Sequence, residues 1–393
     1  MAGSARRSLC VIDHVGNVGG GIKYVLRLLD VLRMSWDVHL HAQPVALGRY
    51  RAAVQSNGID FRESRPTSVL PVLADWSTLF ALGLGMVRQG HRGWTFGVGP
   101  SEASDSDVHF FPWLHRHNLQ DFRGRGIGVF HDAIFFQMPE IIGPRQLAIE
   151  SANLLTWFDK LDKVVVTSAY TRQRLLGLAG GEAATKIAVI PVADTDGTAD
   201  LPDPGPQSTQ RFGRYLVMPA NTSRHKNHRV LLQAMKRSIG QWNLVLTGDG
   251  TLGGGETPIA RHIAEAGLEK RVFGLGYVKK EMVARLIADA EALVMPTLGE
   301  GGGSFPVCEA IVAGTPVITS NIDVIQEQLD RMGAEATLFN PQNVDELVLA
   351  LDGLAQDPER FRSAARAQVA RLHLRNWEHV ARDFQVLLES LYP

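Results

Sequence analysis

Cysteine is almost missing from this chain. Cys10 and Cys308 are the two in 393 residues, and neither stands in a CxxC pair or at metal-ligand spacing from a histidine. That excludes a disulfide framework and a cysteine-based zinc site, and fits a reducing compartment. Net charge is missing as well, since 40 Lys+Arg against 41 Asp+Glu leave −1 with a pI near 6.9. With no field spread over the molecule to gather nucleic acid or an anionic membrane, any anion site has to be local. Long apolar runs are lacking too. The least polar stretch, 69–87, is interrupted by Pro71, Asp75, Ser77 and Thr78, so a buried helix suits it better than a bilayer span, and a peripheral contact is the most it offers a membrane. Basic residues open the chain, but the apolar stretch behind them ends at Asp13, too early for a signal-peptide core. The expected location is cytoplasmic, at most on the inner face of the membrane.

What the chain does contain is a balanced globular composition, 45% hydrophobic and 21% charged, at a length that suits two domains. Short β-rich runs alternate with helix-length segments throughout, the pattern of parallel sheets wrapped by helices. Strands are predicted at Leu9–Ile12, Asp37–His41, Ile59–Arg62, Asp107–Phe111, Ile127–Phe130, Lys163–Thr167 and Lys186–Ile190. A second series follows at Tyr215–Met218, Asn243–Leu246, Val272–Leu275, Ala292–Met295, Pro316–Thr319 and Ala336–Phe339. Between the two series, 196–211 holds Gly197, Pro202, Pro204, Gly205 and Pro206 without apolar periodicity, and reads as a linker. The organisation predicted is α/β: a doubly wound domain over 1–195, the linker 196–211, a second doubly wound domain over 212–375, and a C-terminal segment, 376–393. Such sheets bind ligands beyond the carboxyl ends of their strands, here expected across an interdomain cleft. Apolar residues at Trp377, Val380, Ala381, Phe384, Leu387, Leu388 and Leu391 make a helical stripe that could cross back to the first domain.

Two segments of the second half carry chemistry. After Tyr215–Met218 comes a turn holding Arg224, His225, Lys226, Asn227 and His228, followed by a helical run from Arg229 to Lys236. Arg224 can grip phosphate oxygens through two donors and Lys226 offers a compact ammonium; a solvated turn before a helix accounts for the same composition. After Ala292–Met295 comes Gly299-Glu300-Gly301-Gly302-Gly303-Ser304-Phe305-Pro306, which opens a helix containing Glu309. Glycines let backbone amides approach a ligand, Pro306 suits a helix start, and free N–H groups with the helix dipole attract an anion. Glu309 is odd beside a phosphate but would suit paired ribose hydroxyls. A flexible turn is the plain alternative, weakened because both segments lie at strand ends of one domain.

The first half is less specific. Val15 to Gly21 is a glycine loop opening a helix, so the amides of Gly19, Gly20 and Gly21 could meet a phosphate or sugar. Its spacing is not that of a dinucleotide site, and a plain tight turn explains it equally. His131-Asp132 follows a central strand, and His14, His115 and His117 sit in loops; each reads as an acceptor contact or as a satisfied core histidine. Asp105-Ser106-Asp107 has the form of a metal-diphosphate motif, but its polar surroundings favour a solvated loop.

The turn 224–228, the segment Val272-Phe273-Gly274-Leu275-Gly276-Tyr277-Val278 and the Glu300–Glu309 loop resemble, in that order, the family 4 retaining glycosyltransferases. So do Thr247-Gly248-Asp249-Gly250, Ala313-Gly314-Thr315-Pro316-Val317-Ile318, His131-Asp132 and Val165-Val166-Thr167-Ser168. The resemblance implies the GT-B fold, two Rossmann-like domains, with no metal or other cofactor and a nucleoside diphosphate sugar as co-substrate, UDP before GDP. It makes Arg224 and Lys226 the diphosphate pair, Glu300 a contact to the donor sugar and Glu309 the holder of the ribose. It puts main chain at Tyr277 and Val278 beside the base, and Gly19 to Gly21 near the reaction centre together with Gly301, Gly302, Gly303, Ser304 and Phe305. His131 would lie over the donor sugar with Asp132 beside the acceptor. The implied reaction retains anomeric configuration, the departing phosphate taking the proton of a saccharide, lipid-linked or small-molecule acceptor. Two departures stand out: the glutamates are nine positions apart where the family has eight, and Ala220-Asn221 replaces a usual Gly-Arg. A nucleotide-sugar epimerase of the same plan and an inactive partner subunit are the alternatives.

Overall fold

The structure, a computed structural model, describes residues 6–14, 20–43, 47–48, 50–51, 59–64, 67–68, 96–97, 106–195, 205, 207–252 and 257–392. Gly19, the apolar stretch 69–87, Asp105 and most of the linker lie outside these. The chain forms two compact units, Met1–Val192 with Trp377–Pro393, and Ala193–Asn376. The division falls three residues before the position expected from composition, because Asp194 is tied into the second unit. Its backbone N–H donates to the Arg375 carbonyl at 2.8 Å, while its buried carboxylate accepts from Arg331 at 2.6 Å and from the Arg375 amide at 2.9 Å.

In the first unit, strands β1 (Ser8–Asp13), β2 (Asp37–Ala42), β3 (Asp60–Glu63), β6 (Val108–Phe111), β7 (Gly126–Phe130), β8 (Lys163–Val166) and β9 (Ile187–Val189) form one parallel sheet in the order β3-β2-β1-β6-β7-β8-β9. Thr67–Ser68 (β4) and Phe96–Gly97 (β5) make a separate antiparallel pair that the periodicity did not reveal. The central strands are buried along their whole length, as expected when helices cover both faces. Gly128 is required in β7: a Cβ there would lie 2.4 Å from Leu114 Cδ2. Helix α1 (Gly20–Leu32) follows β1, α2 (Gly143–Lys160) precedes β8, and α3 (Ala169–Ala179) is capped by Ser168, which accepts from the Thr171 amide at 3.0 Å.

The predicted C-terminal helix is α11, Trp377–Glu389, and it belongs to this first unit although it follows the second in sequence. It buries Trp377, Val380, Ala381, Phe384 and Leu388, with Trp377 edge-on to Tyr24 of α1 at 5.7 Å and Phe384 against Phe110 at 5.6 Å.

In the second unit, β10 (Tyr215–Pro219), β11 (Asn243–Thr247), β12 (Val272–Gly274), β13 (Ala292–Met295), β14 (Val317–Ser320) and β15 (Thr337–Phe339) run parallel in the order β12-β11-β10-β13-β14-β15. Around them lie α4 (His228–Arg237), α5 (Pro258–Ala266), α6 (Lys280–Asp289), α7 (Phe305–Val312), α8 (Asp323–Met332), α9 (Val344–Gln356) and α10 (Pro358–Gln368). The strand order reverses at β10/β13 here and at β1/β6 in the first unit. Loops leaving such neighbouring strands diverge to opposite faces and open a crevice. The two chemistry-bearing segments of the second unit are the loops that follow β10 and β13.

Candidate active site

The cationic turn after β10 is one turn of 3-10 helix, Arg224–Lys226, ending at Asn227 in the left-handed region (φ 59°). Asparagine tolerates that conformation, and its side-chain amide donates to the Pro341 carbonyl at 2.9 Å. The reversal lets α4 start at once, with His228 as its first residue. Burial pulls the His228 pKa down to about 4, with nearby Lys226 adding to the effect, so the imidazole is neutral beside the cations.

Two contacts to one backbone carbonyl join this turn to the loop after β13. The Leu298 amide donates to the His225 carbonyl at 2.7 Å, and Thr297 Oγ1 approaches the same carbonyl at 3.3 Å. The consequence is an ion pair: Lys226 Nζ lies 2.6 Å from Glu300 Oε1, with the side chains 17% and 10% exposed. The extra residue between the two glutamates therefore does not turn Glu300 away, since its carboxylate faces Lys226 of the cationic turn. Arg224 is exposed on the same turn.

Gly301 and Gly302 are half-buried, and Gly303 adopts φ +99° before Ser304 starts α7. Phe305 and Pro306 are the first two residues of that helix, and Glu309 is its half-buried fifth. Beside this loop, Gly248 (φ +113°) packs against Ala220, where a Cβ would come within 2.9 Å of backbone, and its amide donates to the Gly276 carbonyl at 2.7 Å. That contact brings the end of β12 to the site, with Tyr277 76% exposed and Val278 partly so.

In the first unit the crevice loops follow β1 and β6. Gly20 and Gly21 lie in the first turn of α1. His131 stacks on Trp113 (ring centroids 4.3 Å apart), meets Tyr24 edge-on at 4.8 Å, and donates from Nε2 to the Pro112 carbonyl at 2.8 Å. Burial brings its pKa down to about 4. A neutral ring with its proton on Nε2 keeps Nδ1 as an acceptor, able to receive a hydrogen bond from a hydroxyl. Asp132 Oδ1 instead accepts from the Ile134 amide at 3.0 Å, ordering the turn after β7.

The loop histidines lie in buried surroundings. His14, His115 and His117 are 1%, 2% and 0% exposed. His14 and His117 stack on each other at 5.2 Å, and His115 lies 3.5 Å from Glu150 and 3.1 Å from the Asp132 carbonyl. The loop after β6 folds inward because buried groups of α2 hold it. Glu150 accepts from the Arg116 amide (φ +67°) at 3.0 Å, and Trp157 Nε1 donates to the His117 carbonyl at 2.7 Å. Asp107 is also structural, accepting from the Ser8 amide at 2.7 Å and the Ser8 hydroxyl at 2.9 Å, which pins β6 to β1.

Sequence reading missed Gln328, whose carboxamide grips Ser304 from α8. The available signal was a glutamine within the apolar stripe Val324, Ile325, Leu329, Met332. Among the described residues, no group of three or more His, Cys, Asp or Glu could hold a metal ion, and no helix is long and apolar enough to cross a membrane.

Residues 209–368 match the family model of glycosyl transferases group 1. The chain is 32% identical over 134 residues to the MMP alpha-(1->4)-mannosyltransferase of Mycolicibacterium hassiacum, covering 34% of this chain and 32% of that protein. It is 26% identical over 265 residues to the O-antigen chain mannosyltransferase B of Escherichia coli, 65% of this chain and 68% of that one. The match thus spans about a third of the first relative and two thirds of the second. Among solved structures, Anabaena HepE in complex with UDP and glucose superposes with a TM-score of 0.67 at 16% identity, over 98% of this chain and 100% of that one. Residues 209–368, which contain the coupled turn and glycine loop, are thus similar to the glycosyl transferases group 1, and the chain has the GT-B fold.

Proposed function

We propose that the chain is a retaining hexosyltransferase that moves a sugar from a nucleoside diphosphate donor, UDP- before GDP-linked, to a hydroxyl of a saccharide or lipid-linked acceptor. The observation that carries this reading is the coupling of Lys226 to Glu300 at the β10/β13 reversal, which sets a cation, a sugar-binding carboxylate and a helix start around one crevice. The two mannosyltransferase relatives support a mannose-type hexose.

In the proposed reaction the bond from the sugar C1 to the diphosphate oxygen loosens first. Arg224, Lys226 and the amides opening α7 stabilise the charge that develops on the departing phosphate. The acceptor oxygen then bonds to C1 from the same face, and its proton passes to the departing phosphate oxygen. His131, neutral and with Nδ1 as acceptor, would take a hydroxyl hydrogen bond rather than act as a proton donor. Glu309 would hold the ribose, and the backbone at Tyr277 and Val278 the base. The reading needs no metal, and Asp107, half of the one motif that suggested it, is bound to Ser8.

Thermal-shift screening with UDP, GDP, ADP and dTDP tests the donor class, since a ligand at 100 times its Kd adds about 2.7 kcal/mol of stability. NMR of the product anomer tests the stereochemistry, and an inverted product would refute retention.

A further inference from the structure

Gln328 lies on α8, 24 residues after the loop that it touches, and is 3% exposed. Its Oε1 accepts from the Ser304 amide at 2.9 Å, and its Nε2 donates to the Ser304 carbonyl at 3.1 Å and contacts Cys308 Sγ. Only one orientation of the carboxamide satisfies both backbone groups, because an amide N–H must donate and a carbonyl must accept. Every hydrogen-bonding group of this side chain is thus spent on the residue that starts α7 and on the helix itself. Ser304 occupies the cap position, yet its hydroxyl makes no capping hydrogen bond; Gln328 instead satisfies the backbone N–H of this N-cap residue, as the N3 side chain of a capping box would.

The preceding residue shows why this matters. Gly303 has φ +99°, and a Cβ there would come within 2.5 Å of Gln328 Cδ and 2.6 Å of its Oε1. The loop from Glu300 to Glu309 carries one residue more than the family spacing it resembles, and that residue has to be absorbed by a backbone reversal that does not displace either glutamate. Gly303 supplies the reversal, and the Gln328 carboxamide packs directly against it.

We propose that Gln328 is a positioning residue of the donor site: it locks the Gly303–Ser304 reversal so that the longer loop still delivers Glu300 to Lys226 and the α7 amides to the donor diphosphate. This rests on the donor-site reading above. The lock acts on nucleotide binding through the loop and makes no contact with the reacting atoms.

The experiment uses the full chain with three substitutions, UDP as probe and titration calorimetry as readout. Gln328→Met keeps the volume and removes the hydrogen bonds, and is expected to weaken UDP binding about 10-fold or more. Gly303→Ala is expected to do the same from the other side of the contact. Gln328→Glu supplies an internal rescue, because a protonated carboxyl can accept from the Ser304 amide and donate to its carbonyl as the carboxamide does, whereas a carboxylate cannot. The ratio of its UDP affinity to that of the wild type should therefore rise as pH falls from 8 to 5, while the Gln328→Met ratio stays flat. UDP binding to folded Gln328→Met and Gln328→Glu at wild-type strength across this range would overturn the lock. Hydrogen exchange of the Ser304 amide reads the lock without nucleotide and should quicken about 10-fold or more in Gln328→Met. Unchanged exchange overturns the proposal, whereas quickened exchange in a chain whose wild type binds none of the four nucleotides overturns the donor-site reading instead.

Discussion

Replacing Lys226 by Met separates the two tasks this side chain performs. The aliphatic stem is kept and the ammonium is lost, so packing along the stem changes little. In the free protein the loss leaves the Glu300 carboxylate, 10% exposed, without the partner that stood 2.6 Å away. A charge-assisted hydrogen bond of this kind contributes about 1.5–3 kcal/mol, below the ~3–5 kcal/mol for a fully buried pair because solvent still reaches both groups. Stability should fall by that amount in Lys226→Met. In the reaction, the same ammonium stabilises charge on the leaving phosphate, and losing one preorganised donor costs on the order of 10²-fold in kcat. Adding Glu300→Gln removes the stranded charge, so the double variant should recover stability to within about 1 kcal/mol of the wild type. It should not recover turnover. Calorimetric unfolding and initial rates at saturating donor give the two quantities separately. Turnover of Lys226→Met within a few-fold of wild type would refute the assignment, and recovery of rate together with stability in the double variant would make the pair purely structural.

Two further outcomes follow from buried groups. Glu150→Ala should destabilise the first unit by about 1–3 kcal/mol, because the Arg116 amide loses its acceptor and His115 its carboxylate partner; chemical unfolding checks this, and an unchanged midpoint would contradict it. At His115 burial favours the neutral form, but the hydrogen bond and charge of Glu150, helped by Asp132, outweigh it and raise the pKa. This contribution is complete below pH ~6.5 and fades as pH rises through the raised value. His228 has the opposite sign. With its folded pKa near 4 against 6.5 unfolded, the unfolded chain binds a proton that the folded one refuses. Stability therefore falls as pH drops from about 6.5 to about 4, by up to ~3 kcal/mol. His228→Gln should flatten that limb in a series of unfolding curves, and an unaltered slope would show that other groups cause it.

The sequence by itself determined the elements and their class. All thirteen strands expected in the two main sheets are present to within one or two residues at their ends, because central parallel strands are buried on both faces and so read as short β-branched runs between turn signals. It also determined that Lys226 and Glu309 sit at strand ends of one domain, since a loop that follows β10 or β13 in the chain can lie nowhere else. What it could not give was direction. His115 and His117 stand in a loop, WLHRHNLQDF, and only the tertiary structure turns them inward, through hydrogen-bonding partners on α2 that lie more than 30 residues away. Asp107 was expected in a solvated loop, and only the fold shows that Ser8, 99 residues earlier, binds its carboxylate. Glu300 counted as out of register along the chain, yet spacing measures backbone length and not where a carboxylate ends up. The positive φ of Gly303, the carboxamide of Gln328 and the bond from Leu298 to His225 decide that, and all three depend on contacts between segments that sequence order keeps apart.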